Sequence, residues 1–159
     1  MIRIASRNDM PTILNIYERA RKFMKDSGNG TQWNDNFPPE DLLIEDIKKE
    51  QLYVYEENNI VHGVFAFIIG EDETYKEISN GKWLSSEVYG TIHRIASDGR
   101  VKGVFDKAIA YCREKISHLR IDTHANNKIM QHVILKNGFV ECGIIYVEDG
   151  TPRIAYEKV

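Results

Sequence analysis

The residues of this chain best suited to chemistry run through His93-Arg94-Ile95-Ala96-Ser97-Asp98-Gly99-Arg100-Val101-Lys102-Gly103-Val104-Phe105. An apolar strand passes into a basic turn with glycines at 99 and 103, and the turn opens a stretch with helical spacing. The first N–H groups of a helix have no intrahelical partner, and the helix dipole places partial positive charge there. Such an end seats anions, phosphates above all. Arg100 and Lys102 add full charges, and Gly103 allows a phosphate to approach the backbone. The chemistry implied is capture of a pyrophosphate directly after a strand. The competing reading is an ordinary strand–turn–helix with a solvated basic turn.

The elements around this turn follow from periodicity. Ile2 to Ser6 alternates as a first strand, and Asn8 or Asp9 caps a helix running to about Lys25. Ser27-Gly28-Asn29-Gly30 ends that helix, and the loop Thr31 to Pro39 leads to a second one, Glu40 to Lys49, with Pro39 in its first turn. Gln51 to Glu56 and Ile60 to Gly70 form a hairpin, the second strand being apolar enough to be central. Glu71 to Glu87 has no period, with Trp83 and Leu84 expected to tuck back onto the body. Val88 to Ser97 is a strand, Val101 to Ile116 a helix, Leu119 to Thr123 a strand, and Asn127 to Lys136 a helix stopped by Asn137-Gly138. Phe139 to Val147 and Thr151 to Glu157 close the chain as a hairpin about Asp149-Gly150. The order β-α-α-β-β-β-α-β-α-β-β predicts a mixed sheet flanked by helices.

Bulk properties narrow the partners. A length of 159 residues favours one domain, 1–159. A formal net charge of −3 argues against a broad nucleic-acid surface while leaving room for a local basic pocket. The apolar run from Ile60 to Ile69 is too short to span a bilayer, and the N-terminus lacks a signal peptide's apolar stretch, so the expected location is the cytoplasm. There Cys112 and Cys142 are expected as buried free thiols. Neither they nor His118, His124 and His132 have metal-ligand spacing, so no metal is expected.

This element order, over essentially the whole chain, resembles the GCN5-related N-acetyltransferase (GNAT) family. Three local matches carry the resemblance. Arg100-Val101-Lys102-Gly103-Val104-Phe105 is similar to the family's Arg/Gln-x-x-Gly-x-Gly/Ala pyrophosphate loop, with Phe105 in place of the small last residue. Asn127, with Asn126 as a rival, matches the asparagine that opens the helix after the fifth strand. Gly138-Phe139 matches the end of that helix. Ile134 stands where the family often has a tyrosine general acid. His93 to Ser97 and Ile121 to Asn127 also look like a bacterial GNAT subgroup of unassigned substrate.

The resemblance implies a mostly antiparallel, mixed seven-stranded sheet with about four helices. It also implies acetyl-CoA as cosubstrate and acetyl transfer to a primary amine of a small molecule or peptide. Backbone at Ile95, Ala96 and Ser97 would run beside pantetheine, the turn from Arg100 through Val101, Lys102, Gly103 and Val104 to Phe105 would hold the pyrophosphate, and Asn127 would bond the pantetheine or phosphate region. If strand alternation holds, Thr91, His93 and Ile95 share a face, which puts His93 about 6–7 Å from Ile95, within reach of an amine through one water. Glu87 and His124 are the other candidate bases, and Tyr146 the candidate acid. The resemblance places the Thr31 to Phe37 loop over the acceptor, where Trp33 and Phe37 would form a wall and Asp35 attract a cation; the alternative is that the two aromatics anchor the loop. Arg153 reads as an exposed sheet arginine. A homodimer is compatible with the family. The alternative function is a catalytically silent acyl-CoA sensor or interaction module on the same fold.

Overall fold

A computed structural model describes residues 1–30, 32, 33 and 36–159. Among these residues the elements are β1 (Ile2–Ile4), α1 (Met10–Asp26), α2 (Glu40–Lys48), β2 (Leu52–Glu57), β3 (Ile60–Ile69), β4 (Gly90–Ser97), α3 (Val104–Lys115), β5 (Leu119–Thr123), α4 (Lys128–Lys136), β6 (Val140–Tyr146) and β7 (Pro152–Lys158). The seven strands form one sheet in the order β1-β2-β3-β4-β5-β7-β6. All neighbours are antiparallel except β4 and β5. This is the mixed sheet with four helices that the pattern predicts.

The apolar length of β3 has a simple cause: it is buried on both faces. Val64 and Ala66 pack into a core with α1 and α2 residues such as Ile13, Tyr17 and Leu43, while Phe65 and Phe67 pack into a second core with Ala108, Ile109 and Cys112 of α3 and Ile134 of α4. Burying a Phe or Ile side chain is worth about 1.5–3 kcal/mol, so these two cores hold the helices on opposite faces. Gly63 allows close approach, since a Cβ there would lie 2.6 Å from Cγ1 of Val104 at the start of α3. Both cysteines are buried and free.

Several boundaries differ from the periodic reading. Asp9 does not cap α1 with its side chain. A 3₁₀ turn, Arg7–Asp9, precedes the helix, and the Asp9 carboxylate instead accepts from the Ser6 N–H at 2.8 Å and pairs with Arg3 at 2.8 Å. Pro39 sits one residue outside α2 in an extended conformation. α3 begins at Val104, not Val101, because Gly103 adopts a left-handed φ of +77° that a helix cannot contain. Within the aperiodic 71–87 segment Trp83 does fold back, its ring 5.3 Å from that of Tyr75, but Leu84 is exposed.

Candidate active site

The basic turn is anchored at its start. Asp98 sits between the His62 imidazole, at 2.8 Å from Nδ1, and the Arg100 N–H, which donates to Oδ1 at 2.9 Å. Gly99 and Gly103 both have positive φ, and a Cβ at either would meet nothing within 4 Å. The glycines are therefore required by conformation, and the space beside them is open to a ligand. Arg100 and Lys102 are exposed. A cleft of about 260 Å³ lies against the turn, lined by Ile95, Ala96 and Ser97 of β4, by Val101 and residues 103–106, and by Met130, Val133 and Lys136 of α4. Phe105 forms part of this wall while packing on the α3–α4 core.

The sheet is split beside that cleft. The parallel pairing of β4 with β5 covers only Gly90–Leu119 and Thr91–Arg120. From Ile92 onward the β5-facing edge of β4 has no strand partner among the described residues. A bulge accompanies the split: His93 pairs with Ala66 and Ala96 with Val64, so Arg94 and Ile95 together oppose Phe65. Arg94 takes a φ of +54°, an uncommon conformation for a non-glycine residue. Two groups hold it there. Tyr17 donates its hydroxyl to the Arg94 carbonyl at 2.7 Å, and the Arg94 guanidinium pairs with buried Asp46 of α2 at 2.7 Å.

The bulge corrects the expected alternation. His93 faces the α1–α2 side with its partner Ala66, and Arg94 follows it there to reach Asp46, whereas Ile95 packs on the α3–α4 core with Ile92. His93 and Ile95 therefore lie on opposite faces of the sheet, at the mouth of the split.

On the His93 face the structure assembles a polar cluster. His93 Nε2 lies 2.7 Å from Asp72 Oδ2, both side chains being 20% exposed. Oδ1 of Asp72 accepts from the Thr74 N–H at 2.9 Å and the Thr74 hydroxyl at 2.6 Å. Burial opposes ionisation of Asp72, but the hydrogen bonds from His93 and Thr74 prevail and bring its carboxyl down to about 2. The Tyr75 hydroxyl donates to Asp122 Oδ2 at 2.6 Å, and burial pushes the Asp122 carboxyl above its ordinary value despite the nearby His93 and that hydrogen bond. Burial, with Asp122 alongside, likewise raises the Tyr75 phenol well above its usual range. The sequence reading missed Asp72, Tyr75 and Asp122. Asp72 and Tyr75 lie in the aperiodic segment, and only the strand alternation of Asp122 offered a signal.

The remaining expected residues scatter. Glu87 is exposed and precedes β4 by three residues, and the strand from Gly90 to Ile95 alone adds roughly 15 Å, so it stands away from the split. Tyr146 is 54% exposed on edge strand β6, with β7 and β5 between it and β4. His124 orders its loop, with Nδ1 accepting from the Asn126 N–H at 3.0 Å. Asn127 caps α4 by accepting from the Met130 N–H at 3.1 Å and donates to Gln32 Oε1 at 3.2 Å. Trp33 is no open wall. It is buried in the α1–α2 core, edge-on to Tyr17 at 5.7 Å and 6.0 Å from Phe37, so the aromatics anchor the loop. Asp35 lies outside the described residues. Arg153 is buried, donating to the Gln32 carbonyl at 3.2 Å and the Thr151 hydroxyl at 2.9 Å. Ile134 is wholly buried.

The arrangement suits a ligand with a diphosphate at one end and an extended amide-bearing chain at the other. The turn offers charge and open backbone for the first, and the unpaired edge of β4 can bond the second as a strand would. A nucleophile entering from the His93 face would meet the tip of that chain through the split.

Known proteins share this architecture. An acetyltransferase of the GNAT family from Streptococcus agalactiae 2603 is 32% identical, with a TM-score of 0.90 over 100% of this chain and 94% of that one. A GNAT-family acetyltransferase from Listeria monocytogenes 4b F2365 is 16% identical over 99% of this chain and 93% of its own, with a TM-score of 0.71. The yncA protein of Salmonella typhimurium, solved with its cofactor acetyl-CoA, is 16% identical over 99% of this chain and 91% of its own, with a TM-score of 0.63. No protein-family model and no curated protein matches the chain.

Proposed function

The chain belongs to the GCN5-related N-acetyltransferase family, and from that premise we propose that it transfers the acetyl group of acetyl-CoA to a primary amine of a small molecule or peptide, by direct attack in a ternary complex. The observation that carries this reading is the split between β4 and β5 after Thr91, lying against the glycine turn and its cleft. The fit rests on the open space at Gly99 and Gly103 and on the strand edge left without a partner.

Acetyl-CoA supplies a thioester carbonyl electrophilic enough to need no enzyme nucleophile. The chain's own work is to hold, orient and move a proton. Backbone N–H groups at the start of α3, with Arg100 and Lys102, hold the diphosphate. The edge of β4 from Ile95 to Ser97 pairs with the pantetheine amides. An N–H of the bulged segment faces the carbonyl oxygen as it gains charge. Asn127 caps α4, whose Met130 and Val133 line the cleft, and to bond the pantetheine or phosphate region its amide would exchange its present donation to Gln32 Oε1.

His93 takes the proton from the incoming ammonium, directly or through one water. A primary ammonium titrates near pH 10, so at neutral pH the amine is mostly charged when it arrives and a base speeds the reaction. Ile134, which stands where the family often has its tyrosine acid, is wholly buried, and Lys136, the titratable α4 residue lining the cleft, is paired with Asp106. A thiol with a pKa near 8.5 leaves acceptably without an acid.

The test is a thiol-release assay with acetyl-CoA against a broad panel of primary amines. Release that depends on one amine class, with the acetylated amine identified by mass spectrometry, supports the proposal. Tight CoA binding with no release for any amine contradicts it and favours a silent sensor.

A further inference from the structure

We infer that Asp72 is a positioning residue that fixes the tautomer of His93, leaving the lone pair on Nδ1 as the base. The inference rests on the reading of His93 as the base of the transfer.

The hydrogen-bond inventory drives the assignment. An ionised carboxylate only accepts. Oδ1 of Asp72 already takes two donors from Thr74, and Oδ2 faces His93 Nε2 at 2.7 Å. The ring nitrogen at that contact must therefore carry the hydrogen. In a neutral imidazole the other nitrogen, Nδ1, is then unprotonated. Among the described residues nothing hydrogen-bonds Nδ1, and the side chain is 20% exposed at the mouth of the split. A carboxylate that fixes the tautomer of a catalytic imidazole is the logic of the hydrolase triads, reached here with a different reacting group.

The other charged and titratable groups around the ring do not compete for it. Asp122 of β5 has its Oδ2 engaged by the Tyr75 hydroxyl, and Tyr75 meets His93 only through its ring, 6.2 Å away. The Arg153 guanidinium of β7 donates to the Gln32 and Pro152 carbonyls and the Thr151 hydroxyl. Arg94, the next residue along β4, is turned to Asp46. The carboxyl of Asp72 stays ionised throughout the range where acetyl transfer is practical.

Replacing Asp72 by Asn gives a specific consequence. The two Thr74 donors hold the amide oxygen at the Oδ1 position, so the amide NH2 faces His93. Nε2 must then accept, and the hydrogen moves to Nδ1. The variant keeps the shape of the site but blocks the lone pair that reaches the amine.

The experiment reads the tautomer directly, by ¹⁵N–¹H long-range correlation on the histidine rings of the ligand-free full chain, with His93→Gln assigning the signal. Wild type is expected to show Nε2–H and Asp72→Asn Nδ1–H. An Nδ1–H tautomer in the wild type overturns the inference whatever the activities are. In the thiol-release assay, with the best amine of the panel, Asp72→Asn and His93→Gln should each lower kcat by about 10²-fold while the KM for acetyl-CoA stays within about twofold. The double variant should be no worse than His93→Gln alone. A normal kcat in Asp72→Asn beside an impaired His93→Gln overturns the role of Asp72 alone. A normal kcat in His93→Gln overturns the base reading beneath it.

Discussion

At the scale of single residues, acetyl transfer as proposed turns on Gly103 and His93. Gly103 is required by its backbone angle, not by crowding, since a Cβ there meets nothing. Gly103→Asn, which tolerates the left-handed region, should fold with little loss, whereas Gly103→Val should cost about 1–2 kcal/mol of stability. Both place a side chain where a phosphate would lie, so both should raise the KM for acetyl-CoA at least about tenfold, as steady-state kinetics will record. For His93→Gln the loss in kcat should be greatest at low pH, where the amine is most fully protonated, and smaller as pH approaches 10. Residue types showed part of the local geometry beforehand. The glycines, Arg100 and His93 are neighbours along the chain, so the strand, its basic turn and the candidates on it could be read from a short string. Asp72 could not be read that way, because its contact with His93 spans 21 residues and starts from a segment with no period. Trp33 and Phe37 illustrate the reverse difficulty: an aromatic in a loop looks the same whether it walls a cleft or, as here, anchors the loop on α1.

At the scale of elements the bulge in β4 matters most. It turns Ile95 to the cleft beside the glycine turn while His93 and Arg94 face the α1–α2 side, and it occurs where β4 parts from β5. A left-handed non-glycine residue costs on the order of 1–3 kcal/mol and persists only when its surroundings hold it. α1 and α2 do so through Tyr17 and Asp46. Tyr17→Phe removes the bond to the Arg94 carbonyl and should lower stability by about 1 kcal/mol in urea unfolding. It should also raise the KM for acetyl-CoA, because the pairing edge is less well fixed. The succession of elements and the helix faces were legible, since they follow from periods of 2 and 3.6. The bulge was not, because one extra residue in a strand leaves no mark in hydrophobic pattern and resets the alternation on which the expected His93–Ile95 face depended. The start of α3 was misplaced for a related reason: Val101 fits the helical stripe, and only the angle at Gly103 shows that the helix begins later.

For the whole molecule, two apolar cores hold helices on either face of one sheet, and buried charge ties the long 71–87 segment to it. Glu157, fully buried, accepts from Arg120 at 2.8 Å and from His118, and the Arg120 guanidinium is stacked 3.9 Å from the Trp83 ring. Burial opposes ionisation of Glu157, yet these partners bring its carboxyl below the ordinary value. Glu157→Gln leaves the buried Arg120 guanidinium short of a counter-charge and should destabilise by about 3–5 kcal/mol in urea unfolding. Acid should act through Glu157 and through other carboxylates. Asp9, held down to about 2 by its bond to Arg3, and Asp72, also at about 2, both titrate below their ordinary 3.8. Their folded-state values are depressed, so their stabilisation is complete only above about pH 5 and is lost as pH falls through about 2, at most about 2 kcal/mol from each. Chemical unfolding across that window, with Asp9→Asn as the comparison, measures the first contribution.

The most direct measurement is a crystal structure of the full chain grown with coenzyme A. The account predicts the diphosphate within hydrogen-bonding distance of backbone N–H groups between Val101 and Phe105, and the pantetheine amides paired with β4 between Ile95 and Ser97. Coenzyme A bound elsewhere, or absent at saturating concentration, would contradict it.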